Sequence, residues 1–209
     1  MNSKILSIKL WDYSIVCLFL SLVFVCGTFF PNEITKQKIR EKTIDEIRKI
    51  GSFYEPKVET MSSERFIISM QKCIAYHNLD IRKEEQIPTA LIIAQAIVES
   101  NFGTSRFAVE GNNLFGIRVW SKDGMLPAKQ DPSINWRVKT FKTKCQSVKS
   151  YILTLNQNHH YTEFRQMRQR TKDPMKLADA LDNFSTSHEY ANHVKQILTK
   201  YKGKLWLRY

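Results

Sequence analysis

The stretch "IPTALIIAQAIVESNFGTSRFAVEGNNLFGI", Ile87 to Ile117, decides how this chain is read. Its first half is apolar almost without a break from Ala90 to Val98. Apolar residues on every side of a helix mark one that is buried all round, so this segment is the central helix of a helical domain. Pro88 suits the first turn, where a missing N–H does no harm. Gln95 and Glu99 are the strongly polar side chains that follow Thr89, and their spacing of four puts both on one face. A carboxylate near a helix C-terminus meets the negative end of the macrodipole, and apolar surroundings also oppose its charge. Both effects raise its pKa and keep it protonated near neutrality, the state a general acid needs. Gly103 then ends the helical run.

Outward from this helix the pattern is mainly α. "SSERFIISMQKCIAYHNLDI" opens on Ser62 or Ser63 as N-cap, and its apolar residues recur at helical spacing. After Lys142, "CQSVKSYILTLNQ", "YTEFRQMRQR", "PMKLADALDNF" and "EYANHVKQILTKY" each read as a helix of moderate length. Between Asn101 and Asn135 glycine, proline and asparagine multiply, which marks loop. Short strands fit near Gly116–Trp120 and Trp136–Phe141. The expected architecture is a helical domain with a small β-like lobe inserted after the central helix.

The N-terminus is different in kind. "SIVCLFLSLVFVCGTFF", Ser14 to Phe30, has no charge and follows Lys4 and Lys9. Its 17 residues would span roughly 26 Å as a helix. That is at the short limit for crossing a bilayer, with the positive flank on the cytoplasmic side. Residues 1–31 are therefore read as a signal anchor or a signal peptide, with the anchor preferred because no A-x-A cleavage site is present. Residues 32–60 read as a helical stalk, and 61–209 as the folded domain, placed outside the cytoplasm: anchored in the inner membrane facing the periplasm, or exported to the cell envelope.

The formal net charge of +12 favours anionic partners without choosing among them. The basic run "EFRQMRQRTK", Glu163 to Lys172, reads as a solvated helix face and not as a nucleic-acid patch. Cys73 and Cys145 stand far apart with no metal-ligand spacing, so no zinc or other metal site is expected. They are read as two buried free thiols, with pairing open to them if the chain is exported. His159 and His160 lack a third ligand at suitable spacing and read as surface or cleft-edge residues. No cofactor is expected.

"EGNNLFGI", Glu110 to Ile117, supplies two glycines, Gly111 and Gly116, for tight backbone geometry. Asn112 and Asn113 add amides, and Phe115 a stacking face. Amides with aromatics suit sugar hydroxyls and N-acetyl groups. "AQAIVESNFGTSRFAVEGNNLFGI" resembles the signature of the Bax-like glucosaminidases of glycoside hydrolase family 73. "FKTKCQSVKSYILTLNQNHHYTEFRQMR", Phe141 to Arg168, resembles that family's next block, and "LADALDNFSTSHEYANHVKQIL", Leu177 to Leu198, its closing block. The three blocks fall in order between about Met61 and Leu205.

The resemblance implies a lysozyme-like α+β fold with a cleft between two lobes. It implies hydrolysis of the β-1,4 bond after N-acetylglucosamine in peptidoglycan glycan strands. It makes Glu99 the catalytic glutamate and Tyr190 a second residue of the catalytic site. Gln95, Asn112, Asn113, Phe115 and Gly116 would shape the sugar sites. At Phe184 the family's usual tyrosine is replaced, so any hydroxyl role there is lost. Glycosidases commonly use two carboxylates. For the second, Asp123, Asp131 and Glu110 are candidates, with Glu189 also near Tyr190. The substrate's own 2-acetamido group is another nucleophile open to this site. Two rival readings remain: a lytic transglycosylase, which also needs one glutamate, and a glycan-binding module without turnover.

Overall fold

The computed structural model describes residues 15, 17–19, 21, 33–49, 54–127, 135–184 and 189–205. The chain divides into two compact units, Met1–Ser52 and Phe53–Tyr209. In the first, helix α1 (Glu33–Lys49) leaves Ile34 and Ile39 exposed, as its thin apolar pattern predicts. Among the described residues no helix is long and apolar enough to cross a membrane, and most of Ser14–Phe30 lies outside those residues.

The second unit carries the site. Helix α2 (Ser63–Asn78) starts where predicted, with the Ser62 hydroxyl accepting from the backbone N–H of Arg65. Helix α3 (Thr89–Ser100) is the central one: every residue from Ala90 to Ile97 is buried. Pro88 sits one residue outside it, at the N-cap. A short helix α4 (Arg106–Glu110) follows, then strands β1 (Arg118–Val119) and β2 (Arg137–Val138), then α5 (Lys144–Gln157). Helices α6 (Thr162–Arg170), α7 (Pro174–Ala178), α8 (Tyr190–Lys200) and α9 (Lys202–Leu205) complete the order. The two strands pair antiparallel, Arg118 opposite Val138, and Met125 bridges to the other edge of Val138. This small lobe sits where the sequence predicts strands.

Three local features depart from the expected pattern. Helix α4 falls in a segment read as loop; one turn is too short to show a period, and it is held by burial of Ala108. The segment read as one helix over "PMKLADALDNF" is α7 followed by a 3₁₀ stretch, Asp179–Phe184, with non-helical backbone at Ala180 and Leu181. The compact unit also takes in residues before Met61. Val58 is buried in the core, and the backbone N–H of Glu59 donates to the Ser69 hydroxyl at 2.9 Å.

Helix α3 does not end on Gly103 alone. Asn101, Phe102 and Gly103 all have positive φ, at 48°, 57° and 76°. A phenylalanine rarely adopts that backbone. Here its ring is fixed edge-on against Phe66 and against Tyr201, each at 5.7 Å. At Gly103 a Cβ would meet the Thr60 methyl at 2.7 Å, so both conformation and space call for glycine. The turn reverses the chain immediately behind Glu99 and sends it back across the end of the helix.

Cys73 of α2 and Cys145 of α5 form a disulfide, with Cα atoms 5.8 Å apart. This corrects the reading of two free thiols. Sequence separation said nothing of their distance; the packing of α2 on α5 brings them together. His77 lies against them, its Nε2 3.0 Å from the Cys145 carbonyl oxygen. The ligand atoms of Cys73, His77 and Cys145 all lie within 4.8 Å. In the disulfide the sulfurs are not thiolates, the form that binds metal. The bridge closes a separation of 72 residues, for which the chain-entropy relation gives roughly 4 kcal/mol. Urea unfolding with and without reductant should differ by about that amount, and Cys145→Ala should remove the difference.

Candidate active site

Three helices and the hairpin converge on the end of α3. Gln95 is wholly buried. Its Nε2 donates to the Tyr190 hydroxyl at 2.9 Å, and its Oε1 accepts from the Tyr151 hydroxyl. The Tyr190 hydroxyl in turn donates to the Glu99 carboxylate. The donors therefore run one way: Tyr151 to Gln95, Gln95 to Tyr190, Tyr190 to Glu99. Burial pushes both tyrosine hydroxyls up from their ordinary range, Tyr151 well up, so both keep their protons and act as donors.

Glu99 is half-buried at the mouth of this chain of bonds. Burial is the largest influence on it and raises its pKa above the ordinary 4.5. The hydrogen bond from Tyr190 and the charge of Arg118 pull the other way without cancelling the rise. The direction agrees with the sequence reading. The rise comes from desolvation, offset by a phenol and a guanidinium that helix position alone does not show.

The aromatic residues around the carboxylate form one cluster. Phe115 is buried and stacks on Tyr151 with centroids 4.1 Å apart. Phe184 packs against Tyr151 and Tyr190, both at 5.6 Å, and lies 6.5 Å from Tyr161. The residue without a hydroxyl is thus the ring that packs three tyrosines together. Tyr161 is itself close enough to Glu99 for that charge to raise its own pKa, after the larger effect of burial.

The loop residues take roles that spacing did not show. Asn113 is 1% exposed; its Nδ2 donates to the carbonyls of Ile117 and Lys139, and its Oδ1 accepts from the N–H groups of Phe115 and Ile117. Asn112, at φ 53°, donates to the carbonyls of Phe141 and Lys142. Both amides hold the loop to the hairpin. Phe115 is a wall of the core, only 2% exposed, and offers no open stacking face. Gln95 likewise stands behind the site. Gly116 does face it: a Cβ there would lie 3.8 Å from Glu99 Oε2.

The candidate second carboxylates are dispersed. Glu110 is exposed and paired with Arg106 at 3.7 Å. Asp123 is exposed on the hairpin, its N–H bonded to the Ser121 hydroxyl. Glu189 is exposed and accepts from Asn192. Asp131 lies outside the described residues. The charged side chain that acts on Glu99, among the described residues, is Arg118. Sequence reasoning missed Arg118, Tyr151 and Tyr161 as site residues. Tyr151 had a signal: a glutamine inside an apolar helix needs partners, and Tyr151 stands in the apolar stripe of α5. The basic run over α6 also departs from a solvated face. Arg168 turns inward and is buried, bonded to Asn156.

The family model described as mannosyl-glycoprotein endo-beta-N-acetylglucosaminidase matches residues 75–203. Protein bax of Escherichia coli (strain K12) is 30% identical over 91 residues, a match covering 44% of this chain and 32% of that protein. The chain thus spans about a third of that relative's length. The catalytic domain of the autolysin Auto from Listeria monocytogenes superposes with a TM-score of 0.52 at 18% identity, covering 78% of this chain and 94% of that one. At that identity the likeness shows the fold, the lysozyme-like class. A C-terminally truncated glycoside hydrolase domain of Salmonella typhimurium FlgJ gives a TM-score of 0.49 at 18% identity, covering 68% and 99%.

Two outcomes test the electrostatics. Because its pKa is raised in the folded state, Glu99 binds its proton more tightly there than in the unfolded chain. Stability therefore falls as pH rises from 4.5 through the folded value. Glu99→Gln should raise Tm at neutral pH, where ~1 kcal/mol reads as roughly 2–4 °C. The gain should vanish below pH 4.5. Tyr190→Phe removes a donor that lowers the Glu99 pKa, so the alkaline limb of any Glu99-dependent activity should move to higher pH. It also leaves Gln95 Nε2 without its partner, at a cost of about 1–3 kcal/mol in a urea titration.

Proposed function

We propose, since this chain belongs to the mannosyl-glycoprotein endo-beta-N-acetylglucosaminidase family, that it hydrolyses the β-1,4 bond after N-acetylglucosamine in peptidoglycan, with Glu99 as general acid. The observation that carries the reading is the state of Glu99: a carboxyl with a raised pKa, oriented by Tyr190, beside a glycine that leaves open space against it. A general acid must hold its proton until the leaving oxygen takes it. Half-burial supplies the hold, and the fixed phenol supplies the orientation.

The chemistry then balances with one carboxyl group. Glu99 gives its proton to the glycosidic oxygen as the C1–O bond breaks. The carbonyl oxygen of the substrate's 2-acetamido group attacks C1 and closes an oxazolinium ring. Water adds at C1 and opens the ring while the Glu99 carboxylate takes the water's proton. The carboxyl is restored, and one product carries a reducing N-acetylglucosamine end. The guanidinium of Arg118, in place of a carboxylate, as the charge acting on Glu99 among the described residues favours this substrate-assisted route. Gln95 acts through Tyr190 as a positioning residue. Asn112 and Asn113 position the loop that brings Gly116 to the site.

The place of action in this reading is outside the cytoplasm, with the N-terminal segment holding the chain at the membrane. The Cys73–Cys145 disulfide supports an oxidising compartment, and the uncharged Ser14–Phe30 after Lys4 and Lys9 supports export. A net charge of +12 suits an anionic wall.

Digestion of peptidoglycan by the full chain, followed by mass spectrometry, tests the reading. Reducing N-acetylglucosamine ends are expected, and Glu99→Gln should slow their release by about 10²–10⁴-fold. Anhydro-muramyl ends would mean transglycosylation, and no products across a range of pH would mean a binding module. The substrate-assisted route expects Asp123→Asn and Asp131→Asn each to retain turnover. Loss by orders of magnitude in either would assign that carboxylate to the attacking water.

A further inference from the structure

The hairpin beside Glu99 carries more than the acid chemistry uses. Beyond Gly116 the chain enters β1, and burial alternates: Arg118 exposed, Val119 half-buried, Trp120 exposed. Arg118 opens β1 and Trp120 follows the strand directly, at a bend, and both side chains are exposed. Trp120 is 70% exposed, a large apolar ring left in solvent two residues beyond Arg118. The guanidinium carbon of Arg118 lies 4.0 Å from the centroid of Trp136, the residue just before β2. That ring holds the cation in place and leaves its N–H edge for a ligand. Among the described residues no carboxylate forms an ion pair with Arg118. The described part of the hairpin also carries Lys122, Arg137 and Lys139 against a single carboxylate, Asp123.

An open tryptophan face takes the apolar face of a pyranose ring. A fixed guanidinium two residues away takes a carboxylate. A neutral N-acetylglucosamine polymer has no use for the second group. A sugar that offers both is muramic acid, whose lactyl ether ends in a carboxyl. Where a stem peptide is attached, that carboxyl is an amide and carries no charge. Where the peptide has been removed, it is a carboxylate held close to the ring.

We propose that Arg118 and Trp120 form a subsite for muramic acid with a free lactyl carboxylate, next to the bond that Glu99 cleaves, so that the enzyme prefers glycan strands stripped of their stem peptides. This rests on the reading of the chain as a peptidoglycan hydrolase and names the form of glycan it takes. It places the reaction after an amidase-class step, which must supply the stripped strand. The positive hairpin also repels no part of such a strand, in which every second sugar is anionic. Its attraction weakens as salt screens it.

The experiment compares four substrates with the full chain: stripped strands, the same strands with their carboxyls converted to neutral methylamides, peptide-bearing strands, and chitin oligosaccharides. Stripped strands should exceed the methylamides in kcat/KM by roughly tenfold or more, the scale of one charge-assisted hydrogen bond. Arg118→Gln should collapse that ratio towards one, and Arg118→Lys should restore part of it. Trp120→Ala should raise KM on both substrates and leave the ratio between them. Taking the ratio on one enzyme at one pH removes the effect of Arg118 on the protonation of Glu99. Equal rates on stripped strands and methylamides, or a ratio unmoved by Arg118→Gln, would overturn the subsite and leave the hydrolase reading intact. Faster cleavage of peptide-bearing than of stripped strands would give the guanidinium to a stem-peptide carboxylate and overturn the lactyl assignment. No cleavage of any of the four would sink the hydrolase reading itself.

Discussion

A buried amide must find donors and acceptors inside the protein, and Gln95 sits in a helix buried from Ala90 to Ile97 with no exposure at all. Its two partners are hydroxyls from helices 56 and 95 residues further along the sequence. Meeting that one requirement fixes how α5 and α8 lie against α3. It also fixes which way the protons point. Tyr151 has only a donor role towards Oε1, so Nε2 must face Tyr190, and the Tyr190 proton is left for Glu99. The constraint that orders the helical core is the same one that orients the acid.

The other half of the site answers a different constraint. The chain must leave α3 and return across its end within a few residues. Three consecutive residues with positive φ make that reversal, and the Phe102 ring braces it between Phe66 and Tyr201. The loop that follows puts Leu114 and Phe115 into the core. Asn112 and Asn113 add hydrogen bonds, tying the loop to the chain after β2 through the carbonyls of Lys139, Phe141 and Lys142 and closing the loop on its own Ile117. The result is a stiff segment with Gly116 against the carboxylate and Arg118 close behind. Amides that resemble sugar ligands in sequence are here the frame that presents a glycine and a guanidinium.

Much of the fold was legible because helix α3 is apolar all round and its neighbours carry one-sided stripes. Period and caps located α2, α3, α5, α6 and α8, and short strands were expected near Gly116–Trp120 and Trp136–Phe141, where β1 and β2 lie. Helix α4 and the break after Ala178 were not legible, since single turns show no period. Within the site, Glu99 was legible from a charged residue ending an apolar helix, and Tyr190 from its place in a recognised block. Gln95, Asn112, Asn113 and Phe115 were legible as special residues but not as buried ones. Local sequence shows which side chains can bond, and distant partners decide what they bond to. Arg118 was invisible among 32 lysines and arginines.

By itself the sequence determined a helical domain around one buried helix, an acid at that helix's end, and a polar turn after it. These follow from local terms: hydrophobic period, backbone freedom and the cost of burying charge. Only the tertiary structure decided which phenols hold Glu99, that Cys73 and Cys145 are joined, and that a cation on the hairpin faces the acid. Those pairings join residues 19 (118 − 99), 72 and 91 (190 − 99) positions apart. Nothing in local pattern encodes such a pairing until the helices have packed.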